Sequence, residues 1–268
     1  MNRPLYKIKV QGGAIETVGE TLVETYRLGH RYGVDRWVLQ DVTLSIASGA
    51  FVVVSGANGS GKTTLLKHFN GLLLPDSGWV KVAGTDVSKD PRSARRCVGM
   101  VFQDADTQIV GETVAEDVAF GPENLRLSRA EVNFRVEAAA ILMGIGHLLE
   151  RRPYELSGGE KRRLAIAGVL AMDPKVMVLD EPFSNLDWPA TRQVLEGILK
   201  LQKTGRTIIV STHDLEKVVA YADRLLVMEK GRIVLDGDPE SLAGRTEAYG
   251  VRPPCSVRWG KGVQPWLT

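Results

Sequence analysis

Cysteine is scarce in this chain of 268 residues, which has only Cys97 and Cys255. Their spacing suits neither a metal site nor a disulfide framework, so a reducing compartment is expected. Long apolar runs are absent too: none approaches the ~20 residues that a membrane-spanning helix requires. The N-terminus has no apolar core of the signal-peptide kind. A soluble chain is expected, one that would meet a membrane only through a partner. Net charge is nearly missing as well, at +2. That argues against a nucleic-acid binder that relies on an overall positive field, while a local patch stays open. There is no internal repeat and no low-complexity block. The 44% hydrophobic and 25% charged residues that remain are ordinary globular composition, enough for a sizeable core. The length suits one large α/β domain with a small inserted subdomain, or two modest domains.

The chain is organised around Gly56-Ala57-Asn58-Gly59-Ser60-Gly61-Lys62-Thr63. An apolar run, Phe51-Val52-Val53-Val54, precedes it, and Thr64-Leu65-Leu66-Lys67-His68-Phe69 follows. A buried strand, a glycine loop of the form G-x-x-x-x-G-K-[ST] and a helix start together make a nucleotide-binding loop. Glycines are needed because successive backbone N–H groups must turn inward around phosphate oxygens, where a Cβ would block the approach. The following helix aims its unpaired N–H groups and positive dipole end at the same anion. Lys62 is expected to reach the β- and γ-phosphates, and the Thr63 hydroxyl to ligate Mg²⁺.

Elsewhere the pattern is of strands alternating with helices. Residues 21–28 and 39–46 read as strands, the second alternating apolar and polar as a half-buried antiparallel strand does. A turn is expected at Gly33-Val34-Asp35. Residues 79–84 read as another alternating strand, and 97–102 as a core strand ending at Gln103. Thr113-x-x-Glu116 and Ser128-x-x-Glu131 are capping-box patterns, which place two helices in an insert of about residues 105–160. Val176 to Glu181 and Thr207 to Thr212 read as buried strands with apolar cores, and 224–228 with 232–235 as a closing hairpin. Buried strands alternating with helices imply a parallel sheet covered on both faces. Ile8-Lys9-Val10 reads as a strand before a turn at Gln11-Gly12-Gly13, in an N-terminal extension of residues 1–20. Residues 246–268, with Pro253-Pro254, read as a tail.

Two further stretches carry chemistry. Asp180-Glu181 ends an apolar strand, where Asp180 can hold Mg²⁺ and Glu181 can orient and polarise an attacking water. Leu156-Ser157-Gly158-Gly159-Glu160 opens a helix, with Ser157 as N-cap and Glu160 at the third helical position of a capping box. It reads as a second anion-binding helix terminus without a nucleotide loop of its own, suited to the phosphate of another copy's nucleotide.

The phosphate loop, Gln103, Leu156 through Glu160, Val176 through Pro182, Ser184-Asn185-Leu186-Asp187 and His213 stand in this order. Across about residues 21–245 the chain resembles an ATP-binding-cassette (ABC) ATPase. The resemblance implies a P-loop NTPase fold: a mostly parallel sheet with helices on both faces, an antiparallel β subdomain and an inserted helical subdomain. It implies that Gly56, Asn58, Gly59, Ser60, Gly61, Lys62, Thr63 and Thr64 bind ATP while Tyr32 stacks on adenine. Thr63, Gln103 and Asp180 would hold Mg²⁺. Glu181 would be the hydrolytic carboxylate, with His213 and Gln103 beside the γ-phosphate and attacking water. Ser157, Gly158 and Gly159 would contact the nucleotide of a partner cassette, and Asp187 would lie in a loop crossing that interface. Family members usually carry Gln at position 160; Glu keeps the cap, so activity is expected to survive.

Residues 101–109 and 113–122 resemble the segment after the glutamine loop in energy-coupling-factor ATPases, which drive uptake of vitamins and of cobalt or nickel ions. Asp104 and Asp106 would line an acidic groove for basic helices of a membrane scaffold. The implied partners are a second cassette, identical or related, a scaffold and a membrane substrate-binding protein, with the chain peripheral on the cytoplasmic face and no nucleic acid expected. The C-terminal part looks short for the dimerising tail of many relatives. Two alternatives stand beside this reading. A soluble cassette acting on nucleic acid or the ribosome usually carries two cassettes or a coiled-coil insertion, and no heptad run fills the stretch from Gln103 to Ser157. A cassette of another transporter type fits the residues after Gln103 less well.

Overall fold

The computed structural model describes residues 9–11, 14–16, 20–33 and 36–267. Val34 and Asp35 of the expected turn, and Gly12 and Gly13, lie outside them, as do residues 1–8 and 17–19 and Thr268. In chain order the elements are β1 (Lys9–Gln11), β2 (Ala14–Glu16), β3 (Thr21–Tyr32), β4 (Arg36–Ala47), β5 (Phe51–Ser55), α1 (Lys62–Phe69), β6 (Ser77–Val82), β7 (Thr85–Asp86) and α2 (Pro91–Cys97). Then come β8 (Val98–Val101), α3 (Val114–Asn124), α4 (Arg129–Leu142), α5 (Gly158–Ala171), β9 (Val176–Asp180), α6 (Trp188–Lys203) and β10 (Thr207–Ser211). The chain closes with β11 (Arg224–Glu229), β12 (Arg232–Gly237), α7 (Pro239–Leu242) and α8 (Cys255–Arg258). None of these helices is long and apolar enough to cross a membrane.

The chain divides into two compact units, residues up to Cys97 with Thr212–Trp266, and Val98–Ser211. In the first, β4, β3, β6 and β7 form an antiparallel sheet in that order. β3 and β4 run longer than the alternation suggests, because bulges let their registers shift. β11 pairs parallel with β5 and antiparallel with β12. Every residue of β5 is buried, as a strand covered on both faces must be. Gly231, in the turn between β11 and β12, ties these elements together. Its N–H donates to the Ser60 carbonyl and its own carbonyl accepts from Gln40 N–H, both at 2.9 Å. Its φ is +78°, and a Cβ there would lie 2.2 Å from the Val38 carbonyl oxygen, so only glycine fits. Arg224 adds a second tie, bonding both carboxylate oxygens of Asp236 and the Ser45 carbonyl, each at 2.6 Å.

In the second unit β9 pairs parallel with both β8 and β10, and all three strands are buried throughout. Helices α3, α4, α5 and α6 belong to this unit. Thr113 makes a reciprocal capping box with Glu116, while Ser128 caps α4 by accepting Glu131 N–H.

Beneath α1 lies a pair of buried imidazoles. His68, with no exposed surface, donates from Nδ1 to the Thr64 carbonyl at 2.7 Å, and its ring meets that of His30 edge-on at 4.7 Å. Burial, with some help from His30, pushes the His68 pKa down to about 4. In the unfolded chain the same group protonates near 6.5, so between these values protons bind preferentially to the unfolded state. Stability is therefore complete above about 6.5 and falls as pH drops toward about 4, by up to roughly 3 kcal/mol from this group. Urea unfolding at pH 7 and pH 4.5 should show a steeper loss for the native chain than for His68→Leu. Equal slopes would mean that His68 titrates normally.

Candidate nucleotide site

The first unit holds the phosphate loop between β5 and α1, in the strand–loop–helix order that the motif requires. Gly56 has φ +149°, and an added Cβ would lie 2.3 Å from the Met228 carbonyl oxygen. The loop is thus pressed against β11 at its first glycine. Ala57, Asn58 and Gly59 are exposed, whereas Gly56, Ser60 and Gly61 are buried. Lys62 is also buried, and its Nζ bridges the loop by donating to the carbonyls of Gly56 at 2.8 Å and Ala57 at 3.2 Å. The ammonium therefore lies across the loop, a compact charge placed where phosphate oxygens would replace carbonyls. Thr63 and Thr64 follow in the first turn of α1.

Tyr32 ends β3 and is half exposed. Its ring meets His30 edge-on at 4.9 Å, and His30 in turn meets His68, so the aromatic is packed through two imidazoles onto the helix that the loop opens. His213 is exposed and follows Thr212, whose N–H donates to Val54 at 3.0 Å and whose carbonyl accepts from Ser55 Oγ at 2.6 Å. Those bonds fix His213 relative to the strand that feeds the phosphate loop. Tyr32, the loop and His213 thus belong to one unit.

The second unit carries the remaining residues. Asp180 and Glu181 are both buried. Ser211 Oγ donates to Asp180 Oδ1, and Glu181 N–H donates to the Ser211 carbonyl at 3.0 Å and to Ser211 Oγ at 3.2 Å. Glu181 has φ +48°, a left-handed conformation that costs about 1–3 kcal/mol. The four apolar side chains of β9 each contribute about 1.5–3 kcal/mol by burial, which outweighs that cost and holds the turn. Ser211, which bonds the Asp180 carboxylate and the Glu181 backbone N–H, was legible in sequence only as a polar residue ending an apolar strand.

Ser157 caps α5 as expected. Its hydroxyl accepts Glu160 N–H at 3.4 Å, and Glu160 Oε2 accepts Ser157 N–H at 2.8 Å. The backbone and hydroxyl hydrogen bonds from Ser157 hold the Glu160 carboxyl below its ordinary range, so it stays ionised as a cap. Ser157 and Gly158 are exposed, which leaves the helix terminus open to solvent. Asp187 caps α6, Oδ1 accepting Ala190 N–H at 2.9 Å.

Gln103 is exposed, and its backbone is held from a side that sequence reasoning missed. Arg162 of α5, only 5% exposed, donates to the carbonyls of Phe102 at 2.8 Å and Gln103 at 2.6 Å. Burial lowers its pKa, and the charges of Asp104 and Asp180 oppose that shift. Beside it, Lys161 Nζ meets Asp106 Oδ1 at 2.6 Å. A Lys-Arg-Arg run gives no local sign that Arg162 and Arg163 are buried.

A model of the ABC transporter family matches residues 39–184. The chain is 50% identical over 233 residues to a putative ABC transporter ATP-binding protein of Halobacterium salinarum, covering 87% of this chain and all of that one. The chain belongs to the ABC transporter ATP-binding family. This cassette is also 46% identical over 228 residues to an energy-coupling factor transporter ATP-binding protein of Methanoculleus marisnigri, with 84% of this chain and 82% of that one covered. Among solved structures it is similar to cbiO1 of Clostridium perfringens, part of the ABC transporter complex cbiONQ. That similarity has a TM-score of 0.78 at 36% identity, over 85% of this chain and 92% of that one. The expected P-loop NTPase fold and the expected ATPase class are both borne out, and ATP is the cassette's nucleotide.

Of the expected site residues, Glu181 is the most exacting to test. Glu181→Gln keeps size and hydrogen-bonding shape but removes the carboxylate, and it should bind ATP normally while turnover falls by at least about 100-fold. Steady-state phosphate release beside nucleotide binding is the check, and wild-type turnover would remove Glu181 from the role of base.

Proposed function

We propose that this cassette hydrolyses ATP to power an importer of the energy-coupling-factor type, acting through a separate membrane scaffold. The observation that carries the reading is the open, capped start of α5: an anion-binding helix terminus, Ser157 to Gly159, in a chain whose nucleotide loop lies elsewhere. Such a terminus has a use when a second cassette presents its nucleotide, so the working unit is a pair of cassettes, identical or related. The cassette proper spans about residues 21–245, and its helical part, about 105–160, faces the scaffold.

Within each site Gly56 to Thr64 would bind the phosphates and Tyr32 the adenine. Glu181 would orient the water, with His213 and Gln103 near the γ-phosphate. Thr63, Gln103 and Asp180 offer a hydroxyl, an amide oxygen and a carboxylate, the hard oxygen donors that suit Mg²⁺. Among the described residues no cluster of three or more His, Cys, Asp or Glu offers an all-protein cage. That fits an ion held largely by substrate phosphates, where it neutralises charge on the transferring group. Asp187, besides capping α6, would lie at the interface of the pair.

The scaffold would bind at a groove of about 510 Å³ in the second unit, lined by Asp106, Glu112, Arg152, Tyr154 and Lys161 among others. Its charges are mixed rather than acidic, because Lys161 already meets Asp106. Exposed Tyr154 supplies an apolar face for a helix to pack on. The similarity to an energy-coupling factor ATPase and to a cbiONQ component supports this reading. A tagged pull-down from detergent-solubilised membranes of the native host should recover a polytopic scaffold and a small membrane substrate-binding protein, whose ligand names the solute. Recovery of ribosomal proteins or nucleic acid without a membrane protein would keep the ATPase and overturn the importer.

A further inference from the structure

The residues after β12 return to the nucleotide side of the first unit. Val251, 2% exposed, donates its N–H to the Thr246 carbonyl at 3.2 Å, and Thr246 is wholly buried. Gly250 comes so near the phosphate loop that a Cβ on it would stand 3.6 Å from Ala57 Cβ. Three residues past His213, Glu216 Oε2 accepts Cys255 N–H at 2.6 Å. These contacts bring Arg252 into the wall of an open cavity of about 360 Å³, which it shares with His213, Asp214, Glu216, Pro253 and Cys255.

The charges in that wall are not evenly available. Glu216 is engaged by Cys255 N–H, and Asp214 takes Glu216 N–H at 3.1 Å with one oxygen and Lys217 Nζ at 3.1 Å with the other. Arg252 makes no ion pair among the described residues, and its one hydrogen-bond partner there is the Cys255 thiol at 3.9 Å. An exposed guanidinium beside already occupied carboxylates is receptive to an anion, and its fork suits phosphate oxygens.

We propose that Arg252 binds the terminal phosphate of the bound ATP from the C-terminal segment, with the Glu216–Cys255 bond holding it in place. This rests on the reading of His213 as a γ-phosphate neighbour. The cassette thus senses the difference between tri- and diphosphate partly through residues that follow its ATPase fold.

Binding of a non-hydrolysable ATP analogue and of ADP to the full chain, by calorimetry, tests this. Arg252→Ala should weaken the ATP analogue roughly tenfold and leave ADP unchanged. Arg252→Lys should recover part of the loss, and Glu216→Gln should reproduce it more mildly with Arg252 still present. Unchanged affinities in Arg252→Ala, or equal weakening of both nucleotides, overturn the proposal. His213→Ala run in parallel then shows whether the γ-phosphate reading falls with it: loss of selectivity there leaves the site intact and removes only Arg252.

Discussion

A loop that binds phosphate through backbone N–H groups must leave most of them without carbonyls of their own; here Ser60 N–H is spent inside the loop, on the Ala57 carbonyl at 3.1 Å. The loop cannot stabilise itself, so it has to be held from outside. In this cassette that restraint comes from Gly231, which spends both backbone groups on Ser60 and Gln40, and from the contact of Gly56 with Met228. Lys62 fills the interior by lying across the carbonyls of Gly56 and Ala57. The long antiparallel strands, the closing hairpin and α1 can all be understood as the frame around this one strained requirement.

The second unit applies the same economy to the end of β9. One residue, Ser211, donates its hydroxyl to the Asp180 carboxylate and accepts the Glu181 backbone N–H with its hydroxyl and carbonyl oxygens. Replacing it would disturb both acids together. The left-handed turn at Glu181 survives because the four residues of β9 before Asp180 are apolar and buried.

Much of this was legible in the sequence. The phosphate loop between an apolar run and a helix, the Ser157–Glu160 cap and the strands with apolar cores are local patterns with local causes, and the structure has them where the patterns stand. The features that escaped are those whose partners are far away along the chain. Arg224 reaches Ser45 across 179 residues, and Arg162 reaches Phe102 across 60. Residues 246–268, read as a tail from Pro253-Pro254, contain ordered turns anchored by Glu216, 39 residues before its partner Cys255. No periodicity or propensity encodes such pairings; they are set by which surfaces meet.

The bonds from α5 to the glutamine loop have a mechanical consequence. Arg162 and Lys161 leave α5 one turn after Ser157 and grip Phe102, Gln103 and Asp106. The element that would meet another copy's nucleotide and the element that would feel the membrane partner are therefore joined at the same end of one helix. A displacement at the Ser157 terminus would reach the glutamine loop through direct side-chain bonds from a single helical turn.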